Sequence, residues 1–373
     1  MLAARRGIGT VRSVVAVSRR RMFEEFAETT AKRAPLYSAL SRGVAADPTL
    51  MAVLDAAPPT QRLPVSLFAA VQFVLLADTG EPLAAWYPNL SPTPRTDDAL
   101  PALRDLCRRR RVELTRLLAT RRVQTNEVGR CALFLPVFGL LAAEVGPLAH
   151  VDVGTSAGLN LLLAEYSYRY EPGGELPAGP VELVCGIRGD APIPRHTPSV
   201  AAAAGLDLGP IDVLDDDATR WLEACVWPDQ ADRLARLRGA MSLARTRARA
   251  GRLDVRIGDA VTDTADLIGE IADASGAHPV VTNSWVLSYL TTGQRAAYVA
   301  ALDAVGANRD LSWVYAESPA LVEGVPRPPS PIDETVLSLV RWRAGVRTVE
   351  HLARCHPHGY WMHWDRRPMA EAT

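Results

Sequence analysis

Apolar residues recur at helical spacing through the first part of the chain, in 63–77 (LPVSLFAAVQFVLLA), 99–119 (ALPALRDLCRRRRVELTRLLA) and 125–144 (TNEVGRCALFLPVFGLLAAE). Residues 22–147 therefore read as helices throughout, punctuated at Pro58-Pro59 and between Pro88 and Pro94. Thr125 is expected to cap the third helix, Pro136 to kink it and Gly146-Pro147 to end it. From residue 148 short β-rich runs alternate with helical ones, the pattern of a largely parallel sheet covered by helices on both faces. Strands are predicted at 149–153, 205–208, 253–257, 279–284 and 311–316, and helices at about 157–165, 217–244, 260–274 and 293–305. YSYRY at 166–170 and VELVCGI at 181–187 read as an inserted hairpin, and VRTVEHLARC and YWMHWD as two closing strands around HPHG.

Composition narrows the classes. At 373 residues, 48% of them hydrophobic and 22% charged, the chain is expected to be globular and to hold two domains, or one large domain with an addition. A formal net charge of −1 gives no general attraction to nucleic acid or to anionic membranes, and neither is expected as a partner. Lys32 is the only lysine, a bias that suggests a GC-rich bacterial coding sequence. Five scattered cysteines without a C-x-x-C pair point to a reduced, cytoplasmic setting. Residues 1–21, basic and without acids, are expected to be a disordered tail, and no segment is read as approaching the roughly 20 apolar residues of a membrane span.

The stretch LAHVDVGTSAGLNLLL at 148–163 runs from an apolar strand through a small-residue turn into an apolar helix. Gly154 and Gly158 are expected to let the backbone approach a ligand, with the first amides of the helix aimed at it. GTSAG also fits G-x-S-x-G, so Ser156 is a candidate hydrolase nucleophile, with Asp254 or Asp310 and His356 or His363 as partners. Against that reading, an α/β-hydrolase needs strands before its elbow, and residues 22–147 offer helices. The turn and strand pattern alone would equally allow a dinucleotide.

Laid out in this order, the second half resembles the Rossmann-like S-adenosylmethionine-dependent methyltransferases. VDVGTSAG at 151–158, GLDLGPID at 205–212, RIGDA at 256–260 and PVVTNSWVLSYL at 279–290 carry the likeness. The resemblance implies S-adenosylmethionine as cofactor. It implies Asp152 orienting the methionine end, Gly154, Ser156 and Gly158 forming the turn, Asp207 gripping the ribose, Asp259 and Ala260 meeting the adenine, and Asn283 at the rim. Glu171 remains a second ribose candidate, since Asp207 lies late for the usual spacing. Two departures stand out: Ser156 replaces the usual middle glycine, and Ser288-Tyr289 stand where many relatives carry a histidine. From about residue 22 the chain also resembles an actinobacterial domain-of-unknown-function family, number 2332, through RRVQTNEVGRC (121–131), VDVGTSAGLNLL (151–162), GLDLGPIDV (205–213) and NSWVLSYL (283–290).

Further candidates follow from chemistry and place. Gln124, Asn126 and Arg130 precede the first strand, and with Trp285 they are the candidate substrate contacts; Glu127 and Tyr289 are the candidate general bases. His351, Cys355, His356, His358 and His363 make the densest group of metal-ligand types, but a hairpin would send neighbours to opposite faces, so no metal is expected. The expected whole is an N-terminal helical cap over a Rossmann-like domain, with a small-molecule acceptor bound at the carboxyl ends of the strands.

Overall fold

The computed structural model describes residues 18–321 and 335–368. The expected tail lies outside the described residues up to position 17, while Ser18 already caps a helix by accepting the Arg21 amide. The chain divides into two compact units, residues 1–123 with 227–230, and 124–226 with 231–373.

Among the described residues the first unit is wholly helical: α1 (Arg19–Thr30), α2 (Pro35–Ala45), α3 (Pro48–Met51), α4 (Pro64–Ala77), α5 (Leu100–Arg109) and α6 (Arg111–Thr120), with short 3₁₀ turns between. Pro35, Pro48 and Pro64 open their helices, where a missing N–H costs nothing. From Ser66 to Leu75 every residue of α4 is buried. Residues 227–230 return to this unit: the Trp227 ring stands edge-on to Phe26 at 5.6 Å, and the Asp229 carboxylate accepts the Leu36 amide at the start of α2. The helix predicted over 217–244 is accordingly two helices, α8 (Asp216–Ala224) and α9 (Ala231–Arg249).

The second unit is built on one sheet of eleven strands: β1 (Leu148–Val153), β2 (Ser167–Glu171), β3 (Gly174–Leu176), β4 (Glu182–Arg188), β5 (Val200–Asp207), β6 (Asp254–Ile257), β7 (His278–Ser284), β8 (Leu311–Glu317), β9 (Thr335–Arg343), β10 (Val346–Cys355) and β11 (Trp361–Pro368). Their order is β3-β2-β4-β11-β10-β9-β8-β7-β1-β5-β6. The run β6-β5-β1-β7-β8 is parallel throughout and doubly wound, the chain reversing direction across the sheet between β1 and β7. Strands β8 to β11 are joined antiparallel, and β11 then pairs parallel with β4.

Alternation along the strands feeds two cores. Leu148 of β1 and Val314 and Ala316 of β8 pack with α7 (Cys131–Val145) and α9 on one face. Val151, Val153, Trp313 and Tyr315 pack with α10 (Thr264–Ser275) and α11 (Thr292–Gly306) on the other. The helix at 131–145 thus belongs to the sheet-containing unit rather than to the N-terminal helical region. Residues Val128–Val145 are long and apolar enough to cross a membrane by length and composition, contrary to the expectation, and 67% of this stretch is buried inside the fold.

The expected 166–187 hairpin is rearranged. β2 pairs antiparallel with the short β3 but parallel with β4, so the insertion extends the sheet edge. Strand β9 was not predicted.

Candidate functional site

The carboxyl ends of β1, β5, β7 and β8 bring together most of the residues singled out above. After β1 the backbone turns through Gly154 (φ 76°), Ser156 (φ 55°) and Gly158 (φ 73°). Ser156 is one of the few non-glycine residues held in the left-handed region, which marks the bend as constrained. Asp207, the last residue of β5, fastens it: Oδ2 accepts the Ser156 amide at 2.9 Å and Oδ1 the Gly209 amide at 2.9 Å. Leu208 and Ile257, beside and across from Asp207, are 70% and 80% exposed, an apolar rim that the sequence reading missed.

The bend itself is bound by the protein's own side chains. Asn126 Oδ1 accepts the amides of Ala157 (3.2 Å) and Leu159 (3.1 Å). The Ser156 hydroxyl donates to Gln124 Oε1 at 2.6 Å, and Gln124 Nε2 donates to the Gly209 carbonyl at 2.8 Å. The expected α-helix over 157–165 is a seven-residue 3₁₀ segment, Leu159–Glu165. The amides expected to face a ligand are therefore taken by Asn126 and Asp207, and no anion site forms at a helix start here. The glycines serve internal packing as well: a Cβ at Gly154 would overlap Val286, and one at Gly158 would come within 2.5 Å of Val255.

Asp152, 2% exposed, accepts the Thr282 hydroxyl at 2.8 Å, and Thr282 in turn meets His150 Nε2 at 2.8 Å. Its second oxygen, Oδ2, is sealed from solvent, and the Thr155 hydroxyl is the hydrogen-bonding group set beside the carboxylate. Burial pushes the Asp152 carboxyl up to about 6 and the His150 imidazole down to about 3. Among the described residues Ser156 makes no hydrogen bond to a histidine; Asp254 is bound to Arg256, Asp310 accepts the Ala344 amide, His356 Nδ1 accepts the His358 amide, and His363 Nδ1 meets Arg354. The hydrolase constellation is not assembled.

Asn283 is fully buried, donating to Glu317 Oε1 at 2.7 Å and accepting from Trp313 Nε1 at 2.6 Å, so it faces the core rather than a cofactor. Glu317, at the end of β8, went unnoticed in the sequence. Its Oε1 also accepts the Val286 (2.7 Å) and Leu287 (3.2 Å) amides, its Oε2 is sealed without a partner, and burial pushes it up to about 7. The only hint was an acid closing an apolar strand. Trp285 (φ 58°) donates to the Thr335 hydroxyl at 2.9 Å. Asp259 caps the turn after β6, accepting the Val261 amide at 2.7 Å beside a half-buried Ala260.

Glu127 is not placed as a base. It is 4% exposed, and its Oε2 meets Arg233 Nε at 2.5 Å and His358 Nδ1 at 3.3 Å. Burial by itself would raise its pKa, but Arg233, His358 and Arg236 hold it well below the carboxylate range. Tyr289 is 78% exposed. Arg130, 7% exposed, donates to the Pro357 and Ser284 carbonyls, which anchors the HPHG turn to the end of β7. Glu171 lies on β2, separated from β1 by β4, β11, β10, β9, β8 and β7, and is ion-paired with Arg169, so it is remote from the bend. No group of three or more His, Cys, Asp or Glu among the described residues is placed to hold a metal.

The family described as "Uncharacterized protein conserved in bacteria (DUF2332)" matches residues 20–364. No curated protein matches the chain.

Proposed function

The chain thus belongs to the DUF2332 family of uncharacterised bacterial proteins, and we propose that it is a methyltransferase-like protein that binds S-adenosylmethionine, with a small-molecule acceptor. One observation carries the reading: Asp207 ends the strand next to β1 and touches the glycine bend, 2.9 Å from the Ser156 amide, in a doubly wound parallel order. A carboxylate has lone pairs beyond those given to two amides, enough to accept from a ribose diol. The exposed Leu208 and Ile257 beside it suit one face of a purine.

Bound S-adenosylmethionine supplies an electrophilic methyl group; the residues here would place it and keep water from it. A second reading, a silent binding protein, is favoured by Glu127, whose ion pair leaves it unavailable as a base. Mass spectrometry of protein purified without added cofactor, with calorimetry of S-adenosylmethionine and S-adenosylhomocysteine, tests the proposal. Binding lost in Asp207→Ala supports it; an absence of binding by the wild type refutes it. Turnover assays then separate enzyme from binder.

A further inference from the structure

Arg130 is a buried cation with no counter-ion among its direct contacts. Nε donates to the Pro357 carbonyl at 2.7 Å, and Nη1 to the Ser284 carbonyl at 3.1 Å and hydroxyl at 3.2 Å. These partners are neutral, and Nη2 makes no hydrogen bond to any described residue. Three acids lie within its electrostatic reach and none is hydrogen-bonded to it: Glu127 is committed to Arg233 and His358, Glu317 through Oε1 to three N–H donors, and Asp152 to the Thr282 hydroxyl. Burying a guanidinium in this way is costly unless an anion completes it. Arg130 also stands at the carboxyl ends of the strands that carry the proposed site: it is bonded to Ser284, the last residue of β7, and β7 lies beside β1.

We infer that Arg130 is the anion-recognising group of this site and takes the carboxylate of a bound small molecule through its unpaired Nη2. Its location as a ligand site rests on the proposed nucleoside reading. The carboxylate has two sources, the amino-acid tail of S-adenosylmethionine or a carboxylate-bearing acceptor. Guanidinium is suited to either, being planar, permanently charged and weakly hydrated.

The test uses the full chain and two ligand pairs that differ only in the carboxylate. In calorimetry, S-adenosylhomocysteine is compared with its decarboxylated amine, on wild type and Arg130→Gln. A wild-type preference of at least ~10-fold for the carboxylate form, abolished in the variant with binding of the amine unchanged, assigns the carboxylate to the tail. If that preference survives in the variant, propionate and propionamide are compared by thermal unfolding with S-adenosylhomocysteine saturating. Stabilisation of wild type by propionate alone, absent in Arg130→Gln, assigns it to the acceptor. Failure of both comparisons overturns the inference and leaves Arg130 a clamp between Ser284 and Pro357. If no adenosyl ligand binds, the nucleoside reading fails on its own, and the propionate comparison on the ligand-free chain still decides Arg130. Should Arg130→Gln not fold, absence of any carboxylate preference by wild type in both pairs overturns the inference.

Discussion

Gly359 and Gly129 meet backbone to backbone: the turn between β10 and β11 rests on the segment that leads into α7, with nothing but hydrogen on either Cα. A Cβ on Gly359 would overlap the Gly129 carbonyl, and one on Gly129 would overlap the His358 carbonyl. HPHG, which the sequence presents as an exposed hairpin turn, is a docked element tied down further by Arg130 on the Pro357 carbonyl.

Gly359→Ala should therefore destabilise twice over, through the overlap and through its φ of 75°. The expected loss is ~2–4 kcal/mol in denaturant unfolding, with Gly129→Ala in the same direction. By contrast Gly251→Ala, also at positive φ (65°) but with open space around its Cβ, should cost only ~1 kcal/mol. Equal losses at Gly359 and Gly251 would mean the close approach contributes nothing.

The buried pair of Glu127 and Arg233 gives a second expectation. Glu127→Ala leaves Arg233 and the half-buried Arg236 without their shared carboxylate, a loss of ~3–5 kcal/mol. Because the folded pKa is depressed, this stability is fully present above the ordinary carboxylate range and is lost as the pH falls through and below it. His358, whose pKa burial lowers and Glu127 raises, loses that support in the variant and would widen the deficit at low pH, so both proteins are compared on a His358→Gln background. Denaturant midpoints at pH 7 and pH 4 should show the variant's deficit shrinking at the lower pH; a constant deficit would refute the pair.

The parts of this fold that were legible in the sequence are the local ones. Strands such as β1 and β7 announce themselves as apolar runs closed by turn residues, and Asp207 is readable as an acid at a strand end. What could not be read depends on partners far along the chain. The parallel pairing of β4 with β11 joins segments that no local pattern relates. Glu127 looks like a free acid until Arg233, 106 residues away, is brought to it. Asn126 reads as a candidate substrate contact, and only the folded bend shows that its oxygen takes the N–H groups that GTSAG was expected to offer a ligand.

That arrangement predicts how Asn126 can be replaced. Asn126→Ala orphans the buried amides of Ala157 and Leu159 and should cost ~1–3 kcal/mol. Asn126→Asp keeps both acceptor bonds with an oxygen in the same place, so it should retain at least half of what alanine loses. If aspartate is as damaging as alanine in thermal unfolding, the side chain acts by shape or by its Nδ2 instead.

Glu317 should make stability fall as the pH rises, opposite in sign to Glu127. Its carboxyl is pushed up to about 7 by burial, against an ordinary value of 4.5, so the folded state holds a proton that the unfolded state releases between those values. Its contribution is thus intact below pH 4.5 and is lost progressively up to about pH 7. The shift sets an upper bound of about 3 kcal/mol for the loss. Glu317→Gln preserves Oε1 as the acceptor for Asn283, Val286 and Leu287 and cannot ionise. Relative to wild type it should gain ground from pH 5 to pH 8 in urea unfolding. Asn283→Ala, which removes one of the donors to Oε1, should move the wild-type transition to higher pH. If the stability difference between wild type and Glu317→Gln stays flat over that interval, Glu317 is ionised throughout, and the sealed Oε2 must have a partner such as a bound water.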